Sequence, residues 1–350
     1  MSLPKLLIIV TLVLFGAIGV AAWVKGGKPA EAQVASSKAG GPAKTKSPQV
    51  IQLEQGSAKT KQEIAKASKA DGSKEAAAMT QEQVKQVLSA EDLPDADRIQ
   101  ELFTTGSQKL PIVETISYKS QVDWQKGRAA WLSDYARHYK TSRHFIARSL
   151  NNKADYLTQE VKQGDRFNVL KLDKDLQFYL VVDTSRCLMW FYYIDPAANE
   201  KVLLKRYSVG LGRLDDKRPS GGLSPLGKYT LGTRVAVFKP GALGIYQNQK
   251  VEMIRVFGTR WIPFDQEIGD VTAGARGFGI HGAPWVPPSG AEGPLEENRA
   301  SVGKYESDGC IRLVTEDSEE LFSIIISRPT TIELVKDFHD TTIPGNERVE

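Results

Sequence analysis

The sequence predicts a multidomain chain: an N-terminal transmembrane helix, a small α+β unit in the middle, and a mainly-β domain in the C-terminal half. Three observations carry that reading. An uncharged apolar run fills 6–24, two helix-spaced apolar patterns flanked by strand-like segments occupy 121–172, and β-branched and aromatic runs broken by glycine turns dominate from Gln177 onward.

Composition narrows the function classes. The 350-residue chain has a net charge of +4, with 41% hydrophobic and 25% charged residues, which is ordinary for a protein that buries real cores. The basic excess is too small and too dispersed for a nucleic-acid face, so no nucleic-acid partner is expected. Two cysteines, Cys187 and Cys310, suffice for one bridge but not for a disulfide framework or a zinc site. The four histidines include no pair at ligand spacing, and no metal or other cofactor is expected.

The run 6–24 would span roughly 28 Å as a helix, close to the hydrocarbon thickness of a bilayer. It is longer than the apolar core of a usual secretory signal, and Lys25 and Lys28 follow it, which favours an uncleaved anchor (1–24) over cleavage at Ala30-Glu31-Ala32. Residues 25–108 are rich in Lys, Ala, Ser and Gln. Through about Met79 they hold too few large apolar side chains to offset chain entropy, so a flexible tether with possible short helices is expected there.

In 121–172, Val122-Asp123-Trp124 reads as a first strand. Trp131, Leu132, Tyr135 and Ala136 fall at helical spacing, as do Phe145, Ile146 and Leu150 after a turn, and Gly164 precedes an alternating strand through Leu170. The order strand, helix, helix, strand, with Leu150-Asn151 and Gly164 as landmarks, resembles a LysM domain. The usual Gly-Asp-Thr after the first strand is here Gly127-Arg128-Ala129, so the unit reads either as a glycan-binding module or as a spacer packed on its neighbour.

The domain 177–337, followed by a tail at 338–350, shows strand runs at 178–183, 187–193 and 202–209 that suggest an antiparallel sheet. Thr315 is placed to cap one helix carrying Leu321, Phe322 and Ile325, and 331–335 reads as a last strand.

Chemistry concentrates at Ser307-Asp308-Gly309-Cys310-Ile311-Arg312-Leu313. A thiol with a free pKa of about 8.5 needs a base at neutral pH. His281, in Ile280-His281-Gly282, is the one suitable histidine, since His138 and His144 lie in the middle unit and His339 in the tail. Backbone N–H groups of Gly309 and Cys310 are candidates for an oxyanion hole, with Ser307 bracing the turn. Asp308 either orients His281, is a turn residue, or impairs the thiol by like charge. Arg312 either grips a substrate carboxylate or makes an internal salt bridge. Trp285 and Gly282 are placed to line the substrate groove, and the long stretch 286–306 reads as a lid or as a tolerated insertion. Cys187, beside Met189 and Trp190, reads as a buried small hydrophobe.

Taken in order, Val181-Val182-Asp183, Tyr207 to Gly212, Ser224-Pro225-Leu226-Gly227-Lys228-Tyr229, Ile280-His281-Gly282 and Ser307 to Leu313 resemble the L,D-transpeptidase catalytic domain, the YkuD domain. The departure from that pattern is Asp308, where many members have a histidine. The resemblance implies that Cys310 attacks the L-centre carbonyl of a peptidoglycan tetrapeptide stem, expelling D-alanine, with His281 as base and then acid. An amine acceptor gives a cross-link and water gives carboxypeptidase activity. A wall-binding scaffold without catalysis is the reading from another class. The implied partners are peptidoglycan stem peptides and glycan. The implied location is a single-pass anchor in the bacterial cytoplasmic membrane with the catalytic domain on the periplasmic side.

Overall fold

The computed structural model describes residues 93–151, 160–288 and 293–348. The expected anchor at 1–24 and the tether up to residue 92 lie outside the described residues. Among the described residues no helix is long and apolar enough to cross a membrane.

Residues 93–103, at the end of the segment expected as a tether, pack against the fold. Leu93 is buried, and Ile99, Leu102 and Phe103, on or beside the short helix α1 (Gln100–Phe103), enter the main core. Backbone bonds from Arg98 N to Leu204 O (2.7 Å) and from Arg206 N to Ala96 O (3.2 Å) lay this segment along a sheet edge. Residues 93–103, expected within the tether, therefore belong to the packed fold. Large apolar side chains return there and find a core to bury in.

The middle unit consists of β1 (Val113–Ser117), α2 (Leu132–His138), α3 (Arg143–Asn151) and β2 (Arg166–Leu170), with β1 and β2 antiparallel in the register Val113 to Leu170. The first strand lies upstream of the one expected at Val122, where the chain instead makes a turn closed by a Val122–Gln125 bridge. Val113, Thr115 and Ile116 are the β-branched residues that line β1 against β2, so the unit begins before residue 121. Its core is Tyr118, Ala130, Tyr135, Ala136, Ile146, Phe167 and Val169. The buried Asp134 carboxylate caps α2 by accepting from Trp131 N (2.8 Å) and pairs with Arg128 at 2.6 Å.

From residue 177 the chain is mainly β, with β3 (Gln177–Asp183), β4 (Leu188–Asp195) and β5 (Glu200–Ser208) forming an antiparallel meander. Then come β6 (Leu211–Gly212), β7 (Gly227–Leu231), β8 (Ala236–Val237) and a hairpin of β9 (Leu243–Tyr246) and β10 (Gln249–Glu252). A one-turn helix α4 (Ile254–Phe257) leads into β11 (Arg260–Ile268) and β12 (Gly279–Gly282). A small hairpin of β13 (Trp285–Val286) and β14 (Glu296–Glu297) precedes β15 (Tyr305–Ser307), β16 (Ile311–Leu313), helix α5 (Thr315–Ile325), β17 (Thr330–Val335) and β18 (Asn346–Glu347).

The main sheet is mixed, not purely antiparallel. Its order is β16-β12-β11-β7-β17-β3-β4-β5-β18, with β17 parallel to β3 and β12 parallel to β16. Inserting β17 between β7 and β3 is a long-range choice that no local pattern encodes. Strands β3 and β4 bury both faces: Phe178, Leu180 and Val182 enter the main core, while Tyr179, Val181 and Trp190 enter a second cluster against Leu93 and Phe338. That two-sided burial explains their nearly unbroken apolar sequence.

Helix α5 buries Leu321, Phe322, Ile324 and Ile325 and packs on β11, β12 and β16. Thr315 is its first residue rather than its cap; the Thr315 N–H donates to the Glu297 carboxylate. Helix α3 lies against α5, where Ser142 Oγ donates to Ser323 O and His144 meets the Phe322 ring at 4.8 Å.

Candidate active site

The parallel pairing of β12 with β16 sets His281 opposite Arg312 and Ile280 opposite Ile311. Cys310, just before β16, is thereby delivered to the start of β12 beside Gly279. Apolar Ile280, Ile311 and Leu313 point into the core and anchor both strands, leaving the alternate positions for chemistry.

A braced turn holds Cys310. Ser307 Oγ donates to Cys310 O (2.7 Å) and accepts from Gly309 N (3.0 Å), while Ser224 Oγ accepts from Gly212 N (2.9 Å) and donates to Gly309 O (3.0 Å). Gly309 has φ +116°, and a Cβ there would come within 2.5 Å of the Phe278 ring and 2.6 Å of Leu223 O. Only glycine fits, for backbone and packing reasons together. The Gly309 N–H, expected as an oxyanion donor, is committed to Ser307. Its role is to shape the turn.

His281 is buried, and its Nδ1 lies 2.7 Å from Gly282 O. A carbonyl can only accept, so Nδ1 carries the proton and Nε2 is left with its lone pair for a substrate or thiol proton. Burial pulls the imidazole pKa down to about 4, with Arg312 acting in the same direction and the Gly282 bond opposing. Gly282, expected to line the groove, is buried and serves as the acceptor that sets this tautomer.

Cys310 is half-buried, and its S–H donates to Gly277 O at 3.7 Å. Burial pushes the thiol up to about 12, and Asp308 adds to this; a backbone hydrogen bond from Gly279 and the Arg312 charge act the other way. Thiol and imidazole are therefore both neutral at pH 7.

Asp308 does not reach the imidazole. Its carboxylate pairs with Arg213 at 2.6 Å, both side chains being exposed. Arg312 makes no salt bridge among the described residues, and its buried Nε has no partner there, so a guanidinium stands beside the thiol uncommitted. Trp285 contacts β14 and lies near α4, and its indole N–H is buried without a partner among the described residues. Cys187 is buried in a turn at φ +54°, and both cysteines are free.

The stretch 286–306 is largely stitched down. Asn298 N donates to Pro284 O (2.8 Å), Gly303 N to Val209 O (3.1 Å) and Leu211 N to Lys304 O (2.8 Å), and Arg299 pairs with Glu297 and Glu316. Its tip, 289–292, lies outside the described residues, including part of Pro287-Pro288-Ser289-Gly290.

Residues that the sequence did not single out complete the site. Tyr246 of the β9–β10 hairpin and Cys310 pack against one apolar cluster of Ala236, Met253, Phe257 and Trp261. The Phe257 ring meets Tyr246 at 5.5 Å and His281 at 5.4 Å, both edge to face. No periodicity signals these, because hairpin and helix are short insertions between sheet strands.

Residues 177–334 match the family model of the L,D-transpeptidase catalytic domain, YkuD. The fold of part of the chain is similar to two solved structures. One is the helical cell shape determining protein Pgp2 from Campylobacter jejuni, at 18% identity and TM-score 0.31, covering 49% of this chain and 51% of that one. The other is Bd1075 of Bdellovibrio bacteriovorus, at 15% identity and TM-score 0.29, covering 45% and 48%. The chain thus spans about half the length of each. No curated protein matches it.

Proposed function

With residues 177–334 matching the YkuD L,D-transpeptidase catalytic domain, we propose that this chain is a peptidoglycan L,D-transpeptidase with Cys310 as nucleophile and His281 as general base. The observation that carries the reading is the buried imidazole whose Nδ1 is committed to Gly282 O, on the strand paired in parallel with the one that Cys310 opens.

Because both groups are neutral, proton transfer accompanies attack. Cys310 Sγ bonds to the L-centre carbonyl carbon of the tetrapeptide stem as Nε2 takes the thiol proton. The imidazolium then protonates the departing D-alanine amine, and a thioester remains. An acceptor amine attacks the thioester and gives its proton to His281, which passes it to the departing sulfur, so that an amide forms and the Cys310 thiol and neutral imidazole are restored. Arg312 supplies positive charge beside the developing thiolate and can hold a stem carboxylate bidentately.

The uncharged apolar run at 6–24, read as an anchor, supports a location at the cytoplasmic membrane with the catalytic domain outside, where murein lies. For the middle unit, a glycan-binding role is supported by its LysM-like order and by surface aromatics: exposed Trp131 under Arg128 at 4.5 Å, and Trp124 stacked on His138 at 4.3 Å.

The test is intact-mass analysis of the purified chain with a tetrapeptide-stem muropeptide, beside Cys310→Ala and His281→Ala. Loss of D-alanine with a cross-linked dimer, dependent on Cys310, is the expected result. Tripeptide release alone indicates water as acceptor. No acyl adduct under reducing conditions sinks the enzyme reading in favour of a wall-binding scaffold.

A further inference from the structure

The base sits against an aromatic wall that belongs to no motif of the nucleophile or the base strand. Phe257 is the last residue of α4 and is 4% exposed. Its ring touches four others: Tyr246 at 5.5 Å, His281 at 5.4 Å, Trp261 at 4.8 Å and Phe238 at 6.1 Å. Trp261 is the register partner of His281 across β11–β12, with its ring 6.1 Å from the imidazole. The imidazole is thus walled by Phe257 and Trp261, and the hairpin residue Tyr246 packs edge to face on Phe257.

We propose that Phe257 is a positioning residue for the reaction: it fixes the plane of the His281 imidazole, keeps water from it, and is itself held in place by Tyr246 of the β9–β10 hairpin. This rests on the reading of His281 as base, and it adds a determinant outside the nucleophile and base motifs. Two edge-to-face contacts near 90° leave the Phe257 ring little freedom, since a rotation that improves one contact spoils the other (86° and 88°). The Gly282 bond fixes the imidazole at Nδ1 but does not stop it rocking about that bond, and the Phe257 ring blocks that motion.

Few ionisable groups face the imidazole. Arg312 stands across the ladder on β16, Cys310 immediately precedes that strand, and the Tyr246 phenol approaches from the hairpin near Asp308, Cys310 and Arg312. On α4 the charged Arg255 is exposed, on β11 Arg260 pairs with Glu319 of α5 at 3.2 Å, and α5 brings the Ser318 hydroxyl near Gly282. Apolar packing, not a charged partner, therefore governs the proton affinity of His281, which is consistent with burial as the first cause of its depressed pKa.

The experiment uses the full chain, labelled at histidine carbons, with the His281 signal assigned through His281→Gln. Two quantities are read against pH: the His281 titration by NMR, and iodoacetamide alkylation of Cys310 by peptide mass. Phe257→Ala admits water, so its His281 midpoint should rise by roughly one pH unit or more toward the ordinary 6.5, and the acid limb of alkylation should follow it. Phe257→Leu stays dry but cannot hold the ring plane. Its midpoint should stay low while alkylation slows by about tenfold, as expected for a misplaced base. Tyr246→Ala, at a half-buried hairpin position, should move the midpoint the same way by less, and it decides the matter if Phe257→Ala does not fold. An unchanged midpoint and an unchanged alkylation profile in folded variants would overturn the proposal. Neither readout requires a muropeptide, so failure of the transpeptidase assay alone leaves the test intact. If His281→Gln alkylates with the wild-type pH profile, the assignment of His281 as base falls and the positioning role of Phe257 in the reaction falls with it, while the NMR midpoints still decide whether Phe257 keeps water from the imidazole.

Discussion

Asp308 and Arg213 form an ion pair at 2.6 Å beside the Cys310 turn, so the carboxylate nearest the thiol in sequence is neutralised by a residue from another strand connection. An unpaired Asp308 would oppose thiolate formation more strongly, since like charge disfavours ionisation. Both partners are exposed, so solvent screens the effect. Arg213→Ala should slow Cys310 alkylation at pH 8 by about twofold to fivefold, and Arg213→Ala with Asp308→Asn should restore it. The gap should narrow in 1 M salt. If Asp308→Asn does nothing in the Arg213→Ala background, the charge argument fails.

The turn itself is the next point of attack. Gly309→Ala places a Cβ against Phe278 and Leu223 O at a φ suited to glycine, a strain of about 1–3 kcal/mol or more. Ser307→Ala leaves the Gly309 N–H without its acceptor in a buried site, costing roughly 1–3 kcal/mol. Chemical denaturation should show both losses. Ser307→Ala should also lower Cys310 acylation even at temperatures where the variant is folded, whereas equal acylation would mean that the brace is merely structural.

Stability should fall on mild acidification. Burial holds the His281 imidazole near 4 and that of His144, packed on Phe322 with Arg260, Arg143 and Arg148 nearby, near 2. The unfolded chain takes up both protons around the ordinary 6.5, which the folded chain refuses until these lower values. The contribution is therefore complete above 6.5 and is lost as pH falls, by at most about 2 kcal/mol per group at pH 5. Urea midpoints at pH 7.5 and pH 5 should differ less in His144→Leu than in the wild type. Parallel losses in both proteins would show that His144 titrates normally.

Glu297 fastens the stretch 286–306 to the helix that follows Cys310. Its carboxylate accepts the Thr315 N–H at the start of α5 and also pairs with Arg299. Glu297→Ala should cost about 1 kcal/mol through the lost cap and should raise amide exchange at Thr315 and Glu316. Unchanged protection there would mean that the packing of Leu321 and Phe322 alone sets this helix end.

Much of this was legible in the chain. Strands β3, β4 and β17 could be read because their side chains are apolar over an unbroken run, and α5 because Leu321, Phe322 and Ile325 repeat at helical spacing. Cys310 and His281 stood out because a thiol and an imidazole each sit beside glycine, where the backbone can approach a substrate. The start of the middle unit at Val113, the docking of 93–103 and the parallel insertion of β17 were not legible. Each depends on a partner far away in sequence, and local pattern is silent about partners.

The site divides the same way. The sequence by itself determined which groups can do chemistry, since thiol, imidazole and glycine turn are properties of residue type and order. Tertiary structure alone decided their states: that Asp308 faces Arg213, that the Gly309 N–H serves Ser307, that Gly282 sets the tautomer of His281, and that Phe257 lies between the hairpin and His281. The physical reason is that hydrogen-bond assignment and burial depend on which surfaces meet, and here those surfaces come from strands, a hairpin and a helix that join only when the sheet closes around β12 and β16.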